Sequence, residues 1–168
     1  DEAIVDMMPD RLLNSKFKRE VDLGSPTIPD FGISKVFYQG DQKNMMHKCE
    51  SCGAYTCLVD EWPNCVKYKK TGDKFVPYFA CIKCKKPINN LTGEFVAKHP
   101  DRDRSSYHVP HLITPNCELP LVMERWEQAQ EDMSKMGTFY NSILGLPYIA
   151  AEDRLMDTDV FACCGNDV

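Results

Sequence analysis

Cys49-Glu50-Ser51-Cys52 and Cys81-Ile82-Lys83-Cys84 are two pairs of thiols at the same C-x-x-C spacing. Ionised thiols are soft, charged ligands, and four of them satisfy Zn²⁺ as a tetrahedron with Zn–S bonds of about 2.3 Å. Two cysteines three apart on a tight turn put both sulfurs on one side of the backbone. Gly53 follows the first pair directly and suits a positive φ that turns backbone amides towards the sulfurs. The spacing therefore predicts two knuckles bordering strands, with one structural zinc held by Cys49, Cys52, Cys81 and Cys84. Four protein ligands leave no open position for water or substrate, so the ion's expected task is to hold short strands where the local core is small. A redox C-x-x-C needs one pair at a helix start in a βαβ context, which is not the pattern here. Cys57 and Cys65 are substitute ligands without knuckle spacing, and His47 and His99 are alternative ones. Cys117, Cys163 and Cys164 read as free thiols. No H-E-x-x-H or clustered His/Asp set supports a metal-dependent hydrolase.

The elements that must position these sulfurs fall into three segments, and the expected class is α+β. In residues 1–44, Leu12, Leu13 and Phe17 recur at near-helical spacing, Glu20 to Leu23 is strand-like, and Gly24 to Gly32 is a turn-rich loop. Ile33, Val36 and Phe37 then mark a short amphipathic helix. Residues 45–112 form a zinc-ribbon-like β module, with strand-compatible runs at Met45–Cys49, Ala54–Trp62, Val76–Cys81, Glu94–Ala97 and Tyr107–Leu112. Thr71-Gly72-Asp73 is its expected hairpin tip. Residues 113–168 are helical at first: Leu119, Val122, Trp126, Ala129 and Met133 make one stripe, and Met136, Phe139, Tyr140, Ile143 and Leu144 a second. Gly145 and Pro147 end the second helix, and an acidic stretch from Glu152 to Val168 reads as a linker.

Composition narrows the function classes. Of 168 residues, 43% are hydrophobic and 27% charged, the profile of a globular protein, and no apolar run approaches the ~20 residues of a membrane helix. Nine cysteines without an export signal point to a reducing compartment, where paired thiols are metal ligands. The abrupt ends, Asp1-Glu2 and Gly165 to Val168, suggest a piece of a longer polypeptide. The net charge of −5 excludes a uniformly basic nucleic-acid binder, yet residues 67–86 hold seven lysines against Asp73 alone. Those lysines have two readings. Either Lys83, Lys85 and Lys86, with Lys48, offset the negative charge of a zinc–tetrathiolate, or they contact a phosphate backbone together with Lys67, Lys69, Lys70 and Lys74.

The order of the pieces resembles the large subunit of a tailed-phage DNA-packaging terminase of the lambda-like type. The resemblance rests on Asp1-Glu2, Gly24-Ser25-Pro26-Thr27 before Gly32-Ile33, Tyr38 with Gly40-Asp41-Gln42, the two knuckles, Tyr107-His108-Val109-Pro110 with Leu112 and Pro115, and Phe139 to Pro147. It implies the end of a P-loop ATPase in residues 1–44, a zinc ribbon in 45–112, and in 113–168 a helical linker to a nuclease outside the chain. It further implies that Asp1 holds Mg²⁺ and Glu2 polarises the attacking water beside ATP, with Ser25-Pro26-Thr27 coupling hydrolysis to DNA movement. The implied partners are double-stranded DNA, the small terminase subunit and the portal, in the host-cell cytoplasm, with no membrane and no secretion. The Walker A loop and the nuclease carboxylates are not in this sequence. The chain alone is therefore expected neither to hydrolyse ATP nor to cut DNA. The rival reading is a non-enzymatic zinc-ribbon adaptor that binds nucleic acid or protein.

Overall fold

A computed structural model describes residues 9–150; Asp1, Glu2, Cys163, Cys164 and the stretch from Glu152 lie outside the described residues. The fold is mixed helix and sheet. After a 3-10 turn at Pro9–Leu12 come α1 (Gly32–Gln39), β1 (Lys43–Lys48), β2 (Tyr55–Cys57), β3 (Val66–Thr71), β4 (Lys74–Phe79), β5 (Glu94–Ala97) and α2 (Leu119–Glu131). The last helix, α3, starts at Met136–Phe139 and continues as a π turn through Tyr140–Leu144. β1 is the centre of a three-stranded antiparallel sheet, with Met46 opposite Cys57 on β2 and Met45 opposite Phe95 on β5. β3 and β4 form a separate two-stranded ribbon closed at Gly72, whose φ is +61°.

Several local expectations fail where sequence pattern lacked a partner. The helix expected through Leu13 and Phe17 is only the 3-10 turn, and both side chains stay exposed. Glu20 to Leu23 has strand-like residues but no neighbouring strand, and Val21 and Leu23 face solvent. That segment is tied down instead by Arg104, whose guanidinium donates to the Asp22 carboxylate at 2.6 Å. Tyr107 to Leu112 pairs with β1 only at Lys43, then Pro110 ends the extended run and a 3-10 turn follows. β3 carries Lys67, Lys69 and Lys70, so its polarity hid the strand.

One buried cluster joins the β module to the helices. It contains Cys57, Leu58, Val59, Cys65, Val66 and Phe79 on one side, and Leu112, Leu119, Val122, Ala129, Met136, Phe139, Ile143 and Leu144 on the other. The α2 stripe is realised except at Met133, which is exposed. Asp132 explains this: its backbone is extended, and its carboxylate accepts the Ser134 N–H and hydroxyl, so it starts a new turn rather than continuing the helix.

Gly145 closes α3 with φ +65°, and the Leu146 N–H donates to the Tyr140 carbonyl across the π turn. A Cβ at Gly145 would meet His108 Nε2 at 3.0 Å, and that nitrogen is already committed to the Leu144 carbonyl at 2.8 Å. Gly145→Ala is therefore expected to cost roughly 1–3 kcal/mol, from left-handed strain plus the crowded imidazole. Gly137→Ala is the control. Its Cβ meets only the Tyr148 ring at 3.4 Å inside a helix, so urea unfolding should show no loss there.

Candidate metal centre

The two knuckles are the same structure built twice. In the first, Cys49 N–H donates to the Ala54 carbonyl at 2.8 Å and Gly53 N–H returns to the Cys49 carbonyl at 2.8 Å. In the second, Cys81 N–H donates to the Lys86 carbonyl and Lys85 N–H to the Cys81 carbonyl, both at 2.9 Å. Gly53 and Lys85 occupy the same place in the turn, with φ of +71° and +61°. A lysine in the left-handed region is unusual, and position 85 would not be picked out without the fold. The first knuckle joins β1 to β2. The second follows β4, where Ala80 bridges to Pro87. The Ile82 N–H donates to Thr56 Oγ1 at 3.3 Å, so β2 supports both.

Cys49, Cys52, Cys81 and Cys84 have all four sulfurs within 4.8 Å of one another. Cys49 Sγ lies 3.5 Å from Cys84 Sγ, and Cys52 Sγ 3.6 Å from Cys81 Sγ. These separations are far too long for a disulfide, whose S–S bond is about 2.05 Å. They do match the edge of a tetrahedron drawn around a cation with bonds of about 2.3 Å, which is about 3.8 Å. The residues present therefore fit one Zn²⁺. Cys49 and Cys81 are buried, Cys84 is half-buried and Cys52 is exposed, so the site has an inner and an outer face.

Backbone geometry prepares the inner sulfurs as thiolates. Burial opposes ionisation of Cys81, but the N–H groups of Cys84 and Lys83 outweigh it and hold the thiol down to about 6. Burial likewise opposes ionisation of Cys49, and the N–H groups of Cys52 and Ser51 bring it below its ordinary value. The Ala54 N–H favours the Cys52 thiolate, yet burial and the three facing sulfurs push that thiol up to about 11. Like charges crowd one another here, and a divalent cation removes the conflict.

The other proposed ligands do not join the cluster. Cys57 and Cys65 lie in the buried core, where burial raises both thiols, Cys65 to about 12, so they are inert packing groups. His47 is fully buried with Nδ1 at 2.7 Å from the Thr92 carbonyl, and His99 gives only its backbone N–H to Asp41. Cys117 is a half-buried free thiol. Lys67, Lys69, Lys70 and Lys74 lie on the β3–β4 ribbon.

A second constellation was not singled out from sequence. The ammonium of Lys43 donates to the carboxylate of buried Asp41 and, at 3.0 Å, to Ser105 Oγ. A lysine beside a serine is the arrangement of a Ser–Lys nucleophile, but here the hydrogen bond to Asp41 raises Lys43 and keeps it protonated. The lysine hydrogen bond and the Ser106 N–H in turn hold the Asp41 carboxyl below its ordinary value. The network is structural: it locks α1 and β1 to the segment at 104–107. Arg102 completes it by donating to the Tyr38 and Gly40 carbonyls at the end of α1.

Next to this network runs a groove of about 760 Å³. Its walls are Gly24, Ser25 and Pro26, the face of α1, Tyr107 to Pro110, and Asn141, Ser142 and Gly145 to Pro147. Thr27 is not part of the lining; its carbonyl accepts the Tyr148 N–H at 3.0 Å. Among the described residues before β1 there is no strand, so Ser25-Pro26-Thr27 follows an extended segment rather than a sheet strand. His108 clamps the groove floor, with Nδ1 at 3.0 Å from Asn44 Oδ1 and Nε2 donating to the Leu144 carbonyl.

Burial pushes His108 below the ordinary imidazole value, against the pull of the Leu144 and Gly145 carbonyls and the charge of Asp60. The folded state thus binds fewer protons than the unfolded chain below pH ~6.5, and stability rises with pH across that window. As pH falls below about 6.5 the His108 contribution should be lost at up to ~1.4 kcal/mol per unit, levelling off below the folded value. Buried His47 shifts in the same direction. Urea midpoints at two pH values in excess zinc check this. His108→Gln should show a smaller acid loss than the parent, and an identical pH dependence would refute the assignment.

Comparison with protein-family models, with curated proteins and with solved structures returns no match to this chain.

Proposed function

We propose that Cys49, Cys52, Cys81 and Cys84 hold one structural zinc ion, and that the module it pins belongs to the large subunit of a tailed-phage DNA-packaging terminase. The metal is supported by the two matched knuckles and the tetrahedral sulfur separations. The motor reading is carried by a separate observation. Gly24-Ser25-Pro26, Ile33, Tyr38, Gln42, Tyr107 to Pro110, Asn141, Ser142 and Gly145 to Pro147, parts of the resemblance scattered along the chain, line one groove.

In this reading ATP and Mg²⁺ belong to the parent protein's ATPase, with Asp1 and Glu2 in the Walker B role and Ser25-Pro26-Thr27 as the coupling segment. Lys67, Lys69, Lys70 and Lys74 contact DNA phosphates; the parent motor works on double-stranded DNA in the host cytoplasm, and the small terminase subunit and the portal are the protein partners. The test is the complete reading frame. It should encode a P-loop, G-x-x-x-x-G-K-[ST], roughly one α/β domain upstream, and a carboxylate-rich nuclease downstream. A frame without the P-loop ends the motor reading and leaves the non-enzymatic adaptor. The adaptor is favoured by the basic ribbon and the closed metal shell, neither of which needs ATP.

A further inference from the structure

The β3–β4 ribbon separates the two readings of the lysine cluster. Lys74 stands five residues up β4 from buried Phe79, roughly 16 Å of strand, and Lys70 stands four residues up β3 from buried Val66, roughly 13 Å. Both spans exceed the Debye length of ~8 Å at physiological salt, so these charges do not neutralise thiolates beyond the ribbon's base. None of Lys67, Lys69, Lys70 and Lys74 makes an ion pair with a described residue, although the chain as a whole is acidic. They are charges held out for a partner.

The ribbon also has a second character. In its register Tyr68 lies opposite Pro77, and Lys70 opposite Phe75, so these four share one face. Phe75 is 70% exposed and Tyr68 49%, whereas Phe79 at the base of the same strand pair is 6% exposed. The aromatics near the tip are therefore not core. Tyr68 and Phe75 are diagonal neighbours, about 7–8 Å apart by sheet geometry, so their exposed rings form one patch. The opposite face carries Lys67, Lys69 and Lys74. A duplex offers its phosphates but keeps its base faces stacked. An unpaired strand offers both phosphates and open base faces, matching a ribbon with lysines on one side and exposed rings on the other.

We propose that the β3–β4 ribbon grips unpaired single-stranded nucleic acid, stacking a base on Phe75 and Tyr68 while Lys67, Lys69, Lys70 and Lys74 bind the flanking phosphates. This rests on the DNA-contact reading of the lysines given above and adds the strandedness of the ligand. The test uses the zinc-loaded chain with a labelled oligothymidylate of about 20 nucleotides and a duplex of about 20 base pairs. The oligothymidylate should bind more tightly than the duplex at equal salt. Phe75→Ala should weaken it by roughly ten-fold or more while changing duplex binding less than about two-fold, and Phe75→Tyr should restore it. Replacing the four lysines with Gln should weaken both probes and flatten the salt dependence by roughly 0.7 per lost phosphate contact on the single strand. Phe75 is exposed, so unchanged zinc content and unfolding midpoint in the variants verify the fold. If Phe75→Ala leaves oligothymidylate binding unchanged while the lysine variant loses duplex, stacking is wrong and the lysine reading stands. If the lysine variant changes neither probe, or neither probe binds, both are wrong.

Discussion

Cys81→Ser abolishes metal binding and removes the cooperative unfolding transition; native mass spectrometry should change from one zinc per chain to none. The size of the effect follows from what the metal replaces. A structural zinc contributes about 10–16 kcal/mol of folding free energy in small thiolate-bound modules, while a whole domain is stable by only about 5–15 kcal/mol. The three-stranded sheet is short, and β2 has only Tyr55–Cys57. Without the ion, the turns at 49–54 and 81–86 are left with four crowded sulfurs and a few backbone hydrogen bonds. Serine does not rescue them, because a hydroxyl is a far poorer zinc ligand than a thiolate at neutral pH. Cys81 is the informative choice: it is fully buried and is the sulfur its surroundings most favour as thiolate. Cys117→Ser is the matched control, since Cys117 lies outside the cluster and should keep both zinc and midpoint. A parent chain that folds without metal would remove the basis of the proposal.

The contrast between the knuckles and the N-terminal segment shows what the sequence made legible. The four-cysteine site could be read because its chemistry is local: C-x-x-C is set by one turn, and a single repeat of it supplies the tetrahedron. Gly53 and Gly145 were legible for the same reason, since a positive φ is a property of one residue. The helix stripes of α2 and α3 were legible because a 3.6-residue period persists over several turns. Val21, Leu23, Leu13 and Phe17 misled because apolar alternation states only what a segment is able to bury, and among the described residues all four stay exposed. β3 was missed for the converse reason: Lys67, Lys69 and Lys70 look like loop residues, yet hydrogen bonding to β4 makes a strand that is wet on both sides beyond buried Val66. The Lys43–Asp41–Ser106 lock and the groove depend on residues more than sixty positions apart, and no local period carries that information.

The core between sheet and helices yields the second large effect. Phe139 is 3% exposed and sits against both tryptophans, its ring centroid 5.8 Å from Trp62 and 5.1 Å from Trp126. Trp62 comes from the β module and Trp126 from α2, and their rings meet edge to face at 6.0 Å. Phe139 is thus the wedge through which α3 holds the other two layers. Phe139→Ala should cost about 3–5 kcal/mol, the usual price of removing a buried aromatic ring and leaving a cavity. The Trp62 indole N–H is buried without a hydrogen-bond partner, so packing alone keeps this ring from water. With the wedge gone, Trp62 gains a reason to turn towards solvent, and emission from the folded state should shift to the red. The chain has two tryptophans and both touch Phe139, so the signal has no other source. Phe139→Leu refills most of the volume and should recover most of the loss. Zinc content should remain at one in both variants, because Phe139 is not one of the four metal-holding residues. That separates this prediction from Cys81→Ser, where metal and fold are lost together. A loss below about 1 kcal/mol for Phe139→Ala would mean that the helices do not close on the β module as described.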